Sequence, residues 1–168
     1  MKMKTIRDLY IEELKDLYNA ENQLLKALPK MAKAASNPDL VQAFEDHLAE
    51  TQNQVERLTQ VFEGLGVSPK GKKCKAMEGL IEEAKEILEE DALEEVRDAA
   101  LIAAAQRVEH YEMAGYGCVR TYATLLGETE AAELLQETLD EEGNADKKLT
   151  DLAESVINIE AVAPADDE

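Results

Sequence analysis

The sequence predicts an all-α, four-helix bundle in a single domain, on three observations. Its 168 residues are dominated by Ala, Leu, Glu, Lys and Gln, the residues that cost least to place in a helix. Apolar side chains recur at three- and four-residue spacing through four long stretches, and at 45% of the chain they suffice for one shared core. Only four prolines and eight glycines interrupt a chain of this length.

The first helix is expected to begin after Thr5, because Thr5 with Asp8 three residues on forms a capping-box-like start. Its inner stripe is Tyr10, Leu14, Leu17, Glu21, Leu24, Leu28 and Met31. Pro29 lies inside this pattern and is expected to kink the helix or loosen its last turns. Ser36-Asn37-Pro38 then reads as a stop, followed by a new cap with proline at the first helical position. The second helix starts near Pro38, turns Phe44, His47, Leu48, Thr51, Val55, Leu58 and Phe62 inward, and ends at Gly64 and Gly66. So short a link folds the first two helices into an antiparallel hairpin.

Residues 65–75 form a Gly-, Pro- and Lys-rich loop, and a short amphipathic helix follows over about residues 76–90. A segment this long is a crossover from one end of the bundle to the other, the single long connection of a ferritin-like bundle rather than an up-and-down one. The third long helix spans roughly residues 93–126, with Ile102, Ala105, Glu109, Glu112, Tyr116 and Val119 on its inner stripe, and Gly127 closes it. The fourth runs from near Glu130 to about Asn158, with Leu135, Thr138, Glu142, Ala145, Leu149 and Leu152 on one face. The domain is thus drawn at residues 1–158, with residues 159–168 a flexible acidic tail. A weak repeat pairs the segment 47–59 with 138–150, and Glu21 with Glu109, as if two related hairpins faced each other.

Charge narrows the function. With 37 acidic against 18 basic side chains the net charge is −19, which repels nucleic acid and anionic membranes. No apolar run approaches a membrane span, and Met-Lys-Met-Lys-Thr leads into no signal-peptide stretch, so the expected compartment is the cytoplasm. Cys74 and Cys118 lack metal-type spacing and read as free thiols.

The informative acids are those that interrupt apolar stripes: Glu21, Glu50, Glu109 with Glu112, and Glu142. Burying a lone carboxylate costs on the order of several kcal/mol, and carboxylates facing one another add repulsion. No Lys or Arg lies on those stripes near the helix middles, so bound divalent cations are the natural counter-charge. A set rich in oxygen and poor in imidazole favours iron or manganese over structural zinc, with a pair of iron ions the first choice. His47 and Glu50 share one side of helix two, Glu109 and Glu112 one side of helix three, and Asp146 follows Glu142 by one turn. His47 is either a ligand or a hydrogen-bonded core histidine. Glu50, beside the apolar line, is a ligand or a stripe-edge residue reaching solvent, and Glu141 competes with Glu142. His110 points about 100° away from Glu109, toward the surface. Tyr18, Tyr111, Tyr116 and Tyr122 are core tyrosines or hydrogen-bonding, redox-active neighbours of a metal.

The stretches DLYNAENQLLKALPKMAKA, FEDHLAETQNQVERL, CKAMEGLIEEA, VRDAALIAAAQRVEHYEMAGYG and LLQETLDEEGNADKKLTDLA resemble the YciF/YciE-type bacterial stress proteins of the ferritin-like superfamily. The resemblance implies a homodimeric helical bundle related to rubrerythrins and other di-iron carboxylate proteins, induced under stress. Carried over residue by residue, it implies a metal set of Glu21, His47, Glu50, Glu109, Glu112, Glu142 and Asp146. One departure stands out: ferritin-like enzymes supply Glu-x-x-His from two helices, whereas here helix two reads Ala49-Glu50-Thr51-Gln52 and helix four has no histidine. The expected function is a metal-binding stress protein handling iron or peroxide. The alternatives are a helical dimer acting as a protective or interaction module, and manganese-catalase-like peroxide dismutation.

Overall fold

The computed structural model describes residues 3–162, and every regular element in that span is helical. Helix α1 covers Ile6–Ala34, α2 Pro38–Leu65, α3 Lys75–Glu89, α4 Glu94–Leu125 and α5 Thr129–Leu152. The chain then widens into a π-turn over Ala153–Ile157 and closes with a helical turn at Asn158–Val162. Residues 159–162, expected as the start of a tail, thus continue the last helix, and residues 163–168 lie outside the described span.

Local chemistry sets most of the boundaries. Thr5 and Asp8 form the reciprocal capping box. The Asn37 side chain accepts from the amides of Asp39 and Leu40 with Pro38 behind it, and Gly66 ends α2 in the left-handed region at φ 64°. With Pro29 inside it, α1 runs on to Ala34, just short of the expected stop at Ser36-Asn37-Pro38, and the Ala35 amide still returns to the Met31 carbonyl. Pro29 sits on the exposed face, where the Leu25 carbonyl that loses its amide donor can turn to solvent.

Around the bundle the order is α1, α2, α5, α4, with α3 laid against α1 and α4. Each neighbouring pair is antiparallel. Asp98 at the start of α4 accepts from the Ser36 and Asn37 amides at the end of α1, while Arg7 at the start of α1 pairs with Glu128 before α5. Along α2 and α5, Asp46 meets Lys148 and Arg57 meets Glu137 and Glu141. The crossover therefore carries the chain from one end of the bundle to the other, as its length requires.

The crossover is pinned by a small polar knot. The Cys74 amide donates to Asn19 Oδ1 at 2.8 Å, its thiol lies 3.0 Å from Asp16 Oδ2 and 3.1 Å from the Tyr111 hydroxyl, and Tyr111 also donates to Asp16. Cys74 is buried and Cys118 exposed, and both are free thiols. Where α1 crosses α4, Gly115 admits Leu17: a Cβ there would lie 2.7 Å from Leu17 Cδ2.

The apolar core divides in two. One block gathers Leu24, Leu28, Met31, Phe44, Leu101 and Leu149; the other gathers Tyr10, Leu14, Leu17, Leu58, Phe62, Tyr116 and Leu135. Between them runs a layer of buried polar side chains, which holds the candidate site.

Candidate metal centre

Every bundle helix contributes to this layer. Glu21 comes from α1, His47, Thr51 and Gln54 from α2, Glu109 and Glu112 from α4, and Thr138 and Glu142 from α5, all of them buried. Each carboxylate replaces an apolar residue at a position whose helical phase points inward, so packing of the two apolar blocks drags the carboxylates in with them.

Four of these residues, His47, Glu109, Glu112 and Glu142, each bring a donor atom into a group spanning no more than 4.8 Å. His47 Nε2 lies 3.2 Å from Glu109 Oε1 and 3.7 Å from Glu142 Oε2, close enough for charge pairing but making a well-formed hydrogen bond with neither. Its other nitrogen, Nδ1, lies 3.3 Å from Glu50 Oε2. With the Nδ1 proton shared with Glu50, Nε2 presents a lone pair to the centre of the layer, the usual arrangement behind a metal-binding imidazole. Glu21 adjoins this group from the α1 side, where the Tyr116 hydroxyl donates to its Oε1.

Seven donor-type atoms of this layer have no hydrogen-bond partner: Glu21 Oε2, His47 Nε2, Glu109 Oε2, and both oxygens of Glu112 and of Glu142. Buried polar atoms in native proteins are nearly always satisfied, so a cluster of orphans facing one another calls for a cation. The residues fit one. Four carboxylates carry −4 when ionised, which two divalent ions match.

Without a cation, protons carry the burden. Burial pushes Glu21 up to about 7 from 4.5, despite the opposing hydrogen bond from Tyr116. Burial, then the negative charges of Glu21, Glu142 and Glu109, hold Glu112 well above the carboxylate range. Glu142 is likewise raised by burial and by Glu109. Burial disfavours the His47 imidazolium, but Glu109 foremost outweighs it and raises the group well above 6.5. For Glu109, burial is overcome by His47 and the pKa falls below 4.5. The layer thus binds protons where it would otherwise bind metal, and metal binding must release them.

Of the seven residues picked from the sequence, five meet in this layer and two stand aside. Glu50 is 41% exposed and touches the group only through His47, because a three-residue step from His47 rotates it some 60° toward the edge of the helix. Asp146 lies outside the group: it accepts from Gln106 at 3.2 Å and pairs with the exposed His110 at 3.3 Å. One turn beyond Glu142, the helix has already rotated it by about 40° toward α4.

Glu141 and Glu142 differ in their partners, and only Glu142 belongs to the buried group. Glu141 faces outward and is held by Arg57 at 2.7 and 2.8 Å and by Gln54 at 3.0 Å. Gln54 and Arg57 were missed from sequence. Gln54 sits seven residues past His47, two turns along the same face, a spacing that could have marked it as an inward polar residue.

Comparison with known proteins agrees with the fold and the family resemblance. Residues 5–162 match the family described as Domain of unknown function (DUF892). Protein YciF of Escherichia coli strain K12 is 56% identical over 162 residues, which cover 96% of this chain and 98% of that protein. The crystal structure of the E. coli stress protein YciF matches with a TM-score of 0.89 at 57% identity, covering 93% of this chain and 99% of that one. YcfI of Rhodopseudomonas palustris, described as a candidate structural protein, matches with a TM-score of 0.86 at 48% identity, covering 89% and 95%.

Proposed function

The chain belongs to the DUF892 family that the stress protein YciF also represents, and on that premise we propose that its buried layer is a carboxylate-bridged dinuclear iron centre serving iron or peroxide handling. The single observation that carries this reading is the convergence of seven unpartnered donor atoms from all four bundle helices. Glu109, Glu142, His47 and one oxygen of Glu112 would hold one ion, and Glu21 with the other oxygen of Glu112 a second. Bound iron supplies one-electron redox chemistry that no side chain here provides. The protein's part is positional: Glu50 fixes the tautomer of His47, Tyr116 orients Glu21, and the two apolar blocks keep water from the layer. The reading extends to a homodimer working in the cytoplasm. Among the described residues, no helix is long and apolar enough to cross a membrane.

Protein purified without a histidine tag is expected to carry iron or manganese, and Glu109→Ala to lose most of it. Equal metal content in the variant contradicts the site.

One observation favours a second reading, a helical protective or interaction module without functional metal. An imidazolium at His47 beside protonated Glu112 and Glu142 balances much of the charge by itself. On that reading the thermal stability is the same in chelator as in added Fe²⁺, because only a ligand bound by the folded state raises it.

A further inference from the structure

The layer is closed on most sides. Glu21, Glu112 and Glu142 are fully buried, and only His47 and Glu109 keep a trace of exposure, 5% and 2%. These same two residues line a pocket of about 120 Å³ between α2 and α5, together with Asp46, Glu50, Asn144 and Lys148. At ~30 Å³ for each water it holds a few water molecules or one partly hydrated ion. His47, whose Nε2 is buried and unpartnered, is part of its lining. Across the same opening, Lys148 Nζ pairs with Asp46 Oδ2 at 2.8 Å, both side chains about half exposed. Glu50 is the one carboxylate that reaches both solvent and the imidazole, 3.3 Å from His47 Nδ1.

We propose that this pocket is the route by which divalent cations reach the buried carboxylates, with the Asp46–Lys148 ion pair as its gate and Glu50 as the carboxylate that takes the ion from water. The inference rests on the metal reading above. A cation must exchange water for protein oxygen before entering a low-dielectric layer, and Glu50 offers that oxygen where water is still present. Lys148 opposes the approach of a positive ion and masks Asp46. An exposed pair of this kind is held only weakly, so it opens readily. Displacing Lys148 exposes two carboxylates, Asp46 and Glu50, at the mouth of the pocket.

The test is stopped-flow uptake of Co²⁺ by the metal-free full chain. It is followed by quenching of tyrosine fluorescence, since the chain has no tryptophan and Tyr116 bonds to Glu21 beside the site. Equilibrium dialysis gives the final stoichiometry. Lys148→Met is expected to accelerate uptake roughly fivefold at low ionic strength, with the gain vanishing near 1 M salt and the stoichiometry unchanged. Glu50→Gln keeps an amide oxygen that can accept the His47 Nδ1 proton, so the imidazole stays oriented while the charge is lost, and it is expected to slow uptake roughly tenfold and reach the same end point at saturating Co²⁺. Unchanged rates in Lys148→Met overturn the gate, and unchanged rates in both variants overturn the route, while bound Co²⁺ keeps the metal reading intact. A lower final stoichiometry in Glu50→Gln makes Glu50 a resident ligand and overturns its role in transit. Failure of the unaltered protein to bind Co²⁺ at all defeats the metal reading and this inference with it.

Discussion

Replacing Glu112 by methionine is expected to stabilise the metal-free protein while destroying its capacity for metal. Glu112 is fully buried and surrounded by three further carboxylates, and while these are ionised neither of its oxygens has a donor to accept from. A buried polar atom without a partner costs about 1–3 kcal/mol, so the two oxygens together cost about 2–6 kcal/mol. Methionine keeps the unbranched length and adds some bulk, which returns about 1–3 kcal/mol in overpacking. The net gain is about 2 kcal/mol. For a chain of this size that raises the melting temperature by about 4–8 °C. The gain also depends on pH with a definite sign. Because the folded-state pKa of Glu112 is raised, its protonated form contributes stability that is complete below about pH 4.5 and is lost as pH rises through the folded value. The variant has no such loss, so its advantage in chelator is larger at pH 8 than at pH 5. Thermal unfolding in chelator at both pH values, repeated with Fe²⁺, measures all of this. Added Fe²⁺ should raise the melting temperature of the unaltered protein and leave the variant unmoved. A variant that melts several degrees lower in chelator at pH 8 would refute the idea that Glu112 is kept for a cation at the expense of stability.

Two further outcomes follow from the same geometry. Metal-free protein should lose stability between pH 5 and pH 8: raising Glu21 from 4.5 to about 7 corresponds to about 3 kcal/mol, present at low pH and lost as pH rises through 7. The raised His47 acts in the same direction, while the contribution of the lowered Glu109 is already complete above about pH 4.5 and stays constant here, and melts in chelator at high salt, which screens the surface acids, read the sum. A melting temperature that rises over this interval counts against the protonated layer. Gly115→Ala should cost about 1 kcal/mol net by urea titration, since a Cβ 2.7 Å from Leu17 Cδ2 in a packed crossing costs about 1–3 kcal/mol while replacing glycine inside a helix returns about 1 kcal/mol. No measurable loss would mean that α1 and α4 are less tightly seated than described.

The fold was legible because its punctuation is local. Thr5 with Asp8, Asn37 with Pro38, Gly66 and Gly127 mark helix ends through interactions between near neighbours in sequence, and the length of residues 65–75 dictates a crossover. Pro29 does not shorten α1, because what it costs depends on the face it occupies, and the exposed face tolerates the missing amide. In the site, Glu21, Glu109, Glu112 and Glu142 could be read from their places in apolar stripes, and His47 from the same phase. Glu50 and Asp146 could not be separated from them, since a rotation of 40–60° about a helix axis divides the centre from its rim. The knot of Asp16, Cys74 and Tyr111 joins residues 58 and 37 positions apart, and no spacing rule reaches that far.

The division of the interior into two hydrocarbon blocks with a charged seam between them also restricts how the helices can slide. Moving any one of them along its axis by a turn, about 5.4 Å, would thrust a carboxylate or another polar side chain among leucines and leave a gap in the seam. Long amphipathic helices made largely of Ala, Leu and Glu have many nearly equivalent ways to pack. Here the seam works as a detent that makes one alignment far cheaper than its neighbours, whatever ion it holds.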